Sequence, residues 1–185
     1  MIISLIGYRA SGKSSIAPRL AKKLGWDWID ADRAIEQQSG RSIPEIFAND
    51  GEAAFRQLES SVLAELLQKD QLIIATGGGA ILNPANRQRL RTAGPVVWLH
   101  ASPETLAARL SRDRNHANAR PSLTGRPIDE EVAEVLAVRE PLYRETATLI
   151  VHSDGEPVEQ ITRRILRHLG LKPLPAAQEN SHDSV

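Results

Sequence analysis

The residues Gly7-Tyr8-Arg9-Ala10-Ser11-Gly12-Lys13-Ser14 fit the spacing G-x-x-x-x-G-K-[ST], and their types suit a phosphate cradle. Gly7 and Gly12 let the backbone curl until successive N–H groups point inward as an anion-binding nest. Ala10, Ser11 and Ser15 belong to the same stretch, and a helix beginning near Lys13 adds its positive end to the spot. Lys13 supplies a mobile charge for β- and γ-phosphates, and Ser14 carries a hydroxyl of the kind that ligates Mg²⁺. An apolar run, Ile2 to Ile6, leads into the loop, and an amphipathic stretch follows it. The pattern predicts binding of a nucleoside triphosphate together with Mg²⁺.

Three further groups could do chemistry. Asp30-Ala31-Asp32 follows a short apolar run, at the carboxyl end of a second strand, where ligands bind in open parallel sheets. One carboxylate there can support a Mg²⁺ shell and the other can take a proton from an attacking hydroxyl; alternatively, Asp32 only caps a helix and Asp30 is solvated. Gly77-Gly78-Gly79 closes a third strand, which suits close approach of backbone to a ligand or a plain turn. Arg56, Arg120 and Arg139 can each grip a carboxylate or phosphate through paired hydrogen bonds, provided the fold gathers them. The five histidines, at 100, 116, 152, 168 and 182, show no metal-ligand spacing.

These groups need a scaffold, and the chain alternates short apolar runs with helical periodicity, the pattern of a parallel α/β sheet. Strands are predicted at Ile2–Ile6, Trp28–Ile29, Leu72–Ala75, Val96–Leu99 and Leu149–Val151. Helices are predicted at Ser14–Leu24, from Asp32 to Gln38, at Gly51–Gln68, after Asn83-Pro84, after Ser102-Pro103 and after Glu156-Pro157. The fold class is therefore α/β: three layers around a five-stranded parallel sheet. Residues 1–171 form one domain, 111–127 read as a lid, and 172–185 as a disordered tail. With 23 basic and 23 acidic residues and no cysteine, the chain points to neither nucleic acid nor a disulfide scaffold. No apolar run suits a signal peptide or a bilayer span, so a soluble cytoplasmic protein is expected.

Taken together, the motifs resemble those of the shikimate kinase family over roughly residues 2–169. The resemblance rests on Gly7–Ser14, Asp30-Ala31-Asp32, Phe55-Arg56-x-x-Glu59, Gly77-Gly78-Gly79-Ala80, Arg120-Pro121 and Arg139-x-Pro141-Leu142-Tyr143-Arg144, in the family's order. It implies transfer of the ATP γ-phosphate to the 3-hydroxyl of shikimate. It also implies that Arg56 and Arg139 hold the shikimate carboxylate, with backbone contacts from the run Gly77, Gly78 and Gly79. Asp32 matches the residue that binds substrate hydroxyls and serves as base, and Asp30 the residue that supports Mg²⁺ with Ser14. Glu59 matches a residue that orients the substrate-binding arginine, and Phe47 and Phe55 match apolar pocket walls. Arg120 matches a lid arginine on the transferring phosphates, while Arg112 and Pro157 match the pair that sandwiches adenine.

Three departures stand out: Ser122 where the family has leucine in the lid, a longer stretch from Asp113 to Ala119, and Ser15 where threonine is common. Rival readings are another small-molecule kinase of the same fold, acting on gluconate or a nucleoside monophosphate, or a nucleotide switch that phosphorylates nothing. The motifs around Arg56 and Arg139 favour shikimate over the first. The second gives no reason for carboxylate-gripping arginines beside an aspartate.

Overall fold

The first strand, β1 (Ile2–Ile6), is buried along its whole length, as a central strand covered on both faces must be. In the computed structural model, which describes residues 1–113 and 127–175, it lies in the middle of a five-stranded sheet. The other strands are β2 (Asp27–Asp30), β3 (Leu72–Ala75), β4 (Val96–His100) and β5 (Leu149–His152), in the spatial order β2-β3-β1-β4-β5. Every pairing is parallel. The connections must therefore cross over, and among the described residues helices carry them. These are α1 (Lys13–Leu24), α2 (Ala31–Ser39), α3 (Ile43–Leu66), α4 (Pro84–Ala93), α5 (Pro103–Asp113), α6 (Ile128–Thr146) and α7 (Val158–His168).

Alternation along the strands divides the core. Ile2, Ile6, Leu72, Ile74, Val96 and Trp98 face the layer of α2, α3, α4 and α6. Ile3, Leu5, Ile73, Ala75, Val97 and Leu99 face α1 and α7, where Ile16, Leu20, Ile161 and Ile165 complete a second core. The carboxyl ends of all five strands thus share one edge, and the loops at that edge carry the polar residues.

The structure differs from the sequence reading at several ends. Strands β2, β4 and β5 each run one residue further, to Asp30, His100 and His152. The long mid-chain helix begins at Ile43, eight residues earlier than Gly51, behind a reciprocal cap in which Ser42 and Glu45 bond each other's backbone N–H. Gly51 breaks it with φ 80 and ψ 174, a conformation that favours glycine, so a short helix and a long one meet there. The residue capping α2 is Asp30, whose side chain accepts from the Asp32 N–H. Helix α5 extends to Asp113, so its last turn occupies the start of the segment read as a lid; residues 114–126, Arg120 among them, lie outside the described residues. Of the segment read as a tail, 172–175 is described: the Leu174 N–H donates to the Lys23 carbonyl at 2.7 Å, and its side chain lies against Gly25.

Candidate active site

Backbone geometry builds the first half of the site. Beyond β1 the chain takes left-handed conformations at Ala10 (φ 61) and Gly12 (φ 101). Gly7 sits at φ 141, and a Cβ there would lie 2.7 Å from the Leu99 carbonyl oxygen, so a side chain is excluded at this turn. The Gly12 turn delivers the chain into α1, whose N-terminal end opens at the loop with no side-chain cap. Lys13 is only 8% exposed, and its ammonium donates to the carbonyls of Gly7 and Tyr8, each at 2.8 Å, and to Ser11 Oγ at 3.3 Å. The charge is thus folded into the loop that a phosphate would fill.

One strand over, Asp30 works with both oxygens. Oδ1 accepts the Asp32 N–H at 3.0 Å, and Oδ2 accepts the Ser14 hydroxyl at 2.7 Å. The first bond caps α2 and the second ties the strand end to the phosphate loop. A hydroxyl beside a carboxylate is an all-oxygen donor set, the kind Mg²⁺ prefers. Ser14 can donate to Asp30 while its oxygen lone pairs still face a cation. The pair therefore fits the ion that the sequence implies. Asp32 lies in the first turn of α2, half-buried.

A cavity of about 500 Å³ opens over this loop, large enough for a small-molecule ligand. Its walls are the loop from Ala10 to Ser15, together with Arg109, Arg112, Ser153, Glu156 and Val158. Arg112 is among these wall residues. Pro157 caps α7 between two wall residues without itself being part of the wall. Arg109 and Ser153 are site residues that the sequence reading missed. The Arg109 guanidinium donates to the Ala10 carbonyl at 3.2 Å and to the Ser153 carbonyl at 2.5 Å. The Ser153 hydroxyl donates to the Ser11 carbonyl at 3.2 Å. The available signal was the Arg109-x-x-Arg112 spacing, which puts both side chains on one helix face.

Side chains build the second half. Arg56 Nη1 donates to the Glu59 carboxylate at 2.8 Å, and Glu52 approaches its other edge at 3.2 Å. Burial works against the Arg56 charge, yet Glu59 and Glu52 outweigh it and hold the guanidinium above its ordinary pKa. Its plane lies over Phe55, 5.2 Å from the ring centroid, and Phe55 packs on Phe47 at 4.7 Å. A Cβ on Gly79 would collide with this same guanidinium, so the glycine makes room for the arginine.

Gly78 joins the two halves. Its carbonyl accepts the Tyr143 hydroxyl at 2.6 Å and an Arg139 N–H at 3.3 Å. Burial pushes the Tyr143 hydroxyl far above the usual phenol range, so it stays a donor. A Cβ on Gly78 would lie 3.4 Å from the Arg9 nitrogen and 3.5 Å from the Gly7 carbonyl oxygen, so the glycine run abuts the phosphate loop. Gly77 begins the turn by accepting the Ala80 N–H at 3.1 Å. Arg139 also lies 5.9 Å from the Tyr8 ring centroid. Arg9 pairs with the buried Glu131, fastening the loop to α6.

The fold therefore gathers residues from 7–15, 30–32, 56–59, 77–79 and 139–143 at one edge of the sheet. Chains of known character are similar to this one over most of its length. The shikimate kinase family profile matches residues 9–170. A shikimate kinase from Rhodopirellula baltica is 44% identical over 163 residues, covering 88% of this chain and 87% of that protein. One from Pseudomonas savastanoi pv. phaseolicola is 43% identical over 169 residues, covering 91% and 96%. A solved structure of shikimate kinase from Acinetobacter baumannii in complex with shikimate superposes with a TM-score of 0.84, at 35% identity, covering 91% of this chain and 92% of that one. A match this long, with the loop, the two aspartates and the fixed arginines at one edge of the sheet, leaves one conclusion: the chain belongs to the shikimate kinase family.

Proposed function

We propose that the two halves of the site divide the labour of ATP-dependent shikimate phosphorylation as follows. ATP lies with its phosphates in the loop from Gly7 to Ser15. Lys13 exchanges its contacts with the Gly7 and Tyr8 carbonyls for phosphate oxygens, and the adenine sits near Arg112 and Pro157. Ser14 and Asp30 hold Mg²⁺, which when bound offsets phosphate charge. Arg56 and Arg139 grip the shikimate carboxylate, with Glu59 fixing the first and the Gly78 carbonyl fixing the second. Phe47 and Phe55 wall the ring, and Gly77, Gly78 and Gly79 let it approach the backbone. Asp32 then orients the 3-hydroxyl and accepts its proton as the oxygen bonds to the γ-phosphorus, and ADP leaves with the electron pair of the broken bond to the β–γ bridging oxygen.

Phosphoryl transfer through a loose transition state needs positioning and charge stabilisation more than covalent help. Arg120 is assigned to the transferring phosphates on the strength of the motif alone. The chain acts as a monomer on soluble small molecules in the cytoplasm, which the family resemblance leads us to expect.

The single observation carrying this reading is the restrained Arg56, held by two carboxylates against a glycine that leaves it room. A guanidinium already paired and aimed loses little freedom when it meets a second carboxylate. The test is ADP release with Mg²⁺-ATP, comparing shikimate, gluconate, nucleoside monophosphates and no acceptor. Turnover that depends on shikimate is expected. Equal release with and without shikimate would overturn the acceptor assignment while leaving the phosphate loop in place.

A further inference from the structure

The histidines that show no ligand spacing along the chain acquire it in space. His100 ends β4 and His152 ends β5, and the two are register partners across the parallel pair. Neighbouring strands lie about 4.8 Å apart and partnered side chains point to the same face, so the imidazoles are brought side by side. Their ring centroids are 4.8 Å apart at 68°. Asp154 follows two residues after His152, in the bend just beyond the end of β5. One ligand atom from each of the three residues lies within 4.8 Å of the others.

We propose that His100, His152 and Asp154 form a binding site for a borderline divalent cation, with Zn²⁺ as the probe. Two imidazoles and a carboxylate are the donor types Zn²⁺ takes when three protein ligands leave a fourth position open. Bonds of about 2.0–2.1 Å require the three donor atoms to close in by roughly 1 Å each, within reach of small side-chain rotations.

Three features mark the cluster as more than a chance meeting. His100 Nδ1 is buried and has no hydrogen-bond partner among the described residues. The edge of the Trp98–His100 contact, 4.9 Å between centroids at 77°, fixes that ring from behind. Asp154 is oriented by the Ser102 N–H, which donates to its Oδ1 at 2.9 Å, the outer-shell support that ligating carboxylates usually have. His152 is exposed, which gives a cation its way in. The site stands apart from Ser14 and Asp30, and softer donors distinguish it chemically from that all-oxygen pair. It nonetheless adjoins the nucleotide loop, because Ser153 lies between His152 and Asp154 and bonds Ser11.

The test is calorimetric titration of the chelator-treated full chain with Zn²⁺ in excess Mg²⁺, paired with thermal melts. One saturable equivalent and a Zn²⁺-dependent rise in Tm are expected, since a ligand held by the folded state stabilises it. His152→Ala should weaken Zn²⁺ binding roughly tenfold or more and abolish the Tm rise, with turnover in Mg²⁺ without Zn²⁺ unchanged. Asp154→Asn, which keeps an acceptor for Ser102, should weaken it in the same direction. Zn²⁺ affinity and Tm shift equal in the wild type and His152→Ala would overturn the proposal, as would the lack of a saturable equivalent in the wild type.

Discussion

The two halves of the cleft hold their positive charges in opposite ways. On the nucleotide side Lys13 bends onto carbonyls of its own loop, contacts that a phosphate must displace. On the acceptor side Arg56 is pinned by two carboxylates of its own helix, Glu52 and Glu59, and Arg139 by the Gly78 carbonyl of another element. A flexible ammonium can follow phosphate charge as it develops, whereas a planar guanidinium serves best when fixed for one carboxylate. The difference suggests that the lysine acts in the transition state and the arginines in ground-state recognition.

The largest effect should come from the mobile cation. Lys13→Ala is expected to lower kcat by about 10²–10³-fold, the loss seen when one donor to developing charge is removed. A kcat within a factor of a few of the wild type, measured at saturating ATP and shikimate, would erase the contrast. Next comes the group between the halves. Asp32→Asn should lower kcat by roughly 10²-fold while ATP affinity stays within about twofold, because a positioned base contributes to the proton transfer alone. Unchanged kcat in a steady-state assay would remove Asp32 from the mechanism.

The smallest effect should lie behind the fixed arginine. Glu59 is 3% exposed, and Glu59→Gln keeps a hydrogen bond to Arg56 but removes the countercharge. A loss of roughly 1–3 kcal/mol in stability is expected from denaturant unfolding. A rise in KM for shikimate should accompany it, with kcat little altered. A stability loss with KM unmoved would make Glu59 a packing group and nothing more.

Much of this contrast was legible in the sequence, but unevenly. The phosphate loop is contiguous, so its chemistry can be read from eight residues. Of its neighbours, Arg109 shares a helix face with Arg112 but only the fold carries α5 to Ala10, and Ser153 has no local signal because only the fold carries the end of β5 to Ser11. The acceptor side was legible through family resemblance, since nothing in the spacing of Arg56 and Arg139 says that the Gly78-Gly79 turn meets both. Strand interiors were found by their apolar runs, and strand ends were cut short where the run turned polar. Those omitted ends are Asp30, His100 and His152, polar residues that the sheet carries to its functional edge. The helix from Ile43 to Asp50 was missed although Ser42 and Glu45 spelled its cap, because Gly51 was read as a beginning rather than a joint.

The most direct measurement is shikimate affinity by calorimetry, without nucleotide, in the wild type, Lys13→Ala and Arg139→Ala. Loss of a charged hydrogen bond is worth about 1.5–3 kcal/mol, so Arg139→Ala should bind shikimate at least roughly tenfold more weakly. Lys13→Ala should bind it as the wild type does. Wild-type affinity in Arg139→Ala, or an equal loss in both variants, would contradict the division of labour between the two halves of the cleft.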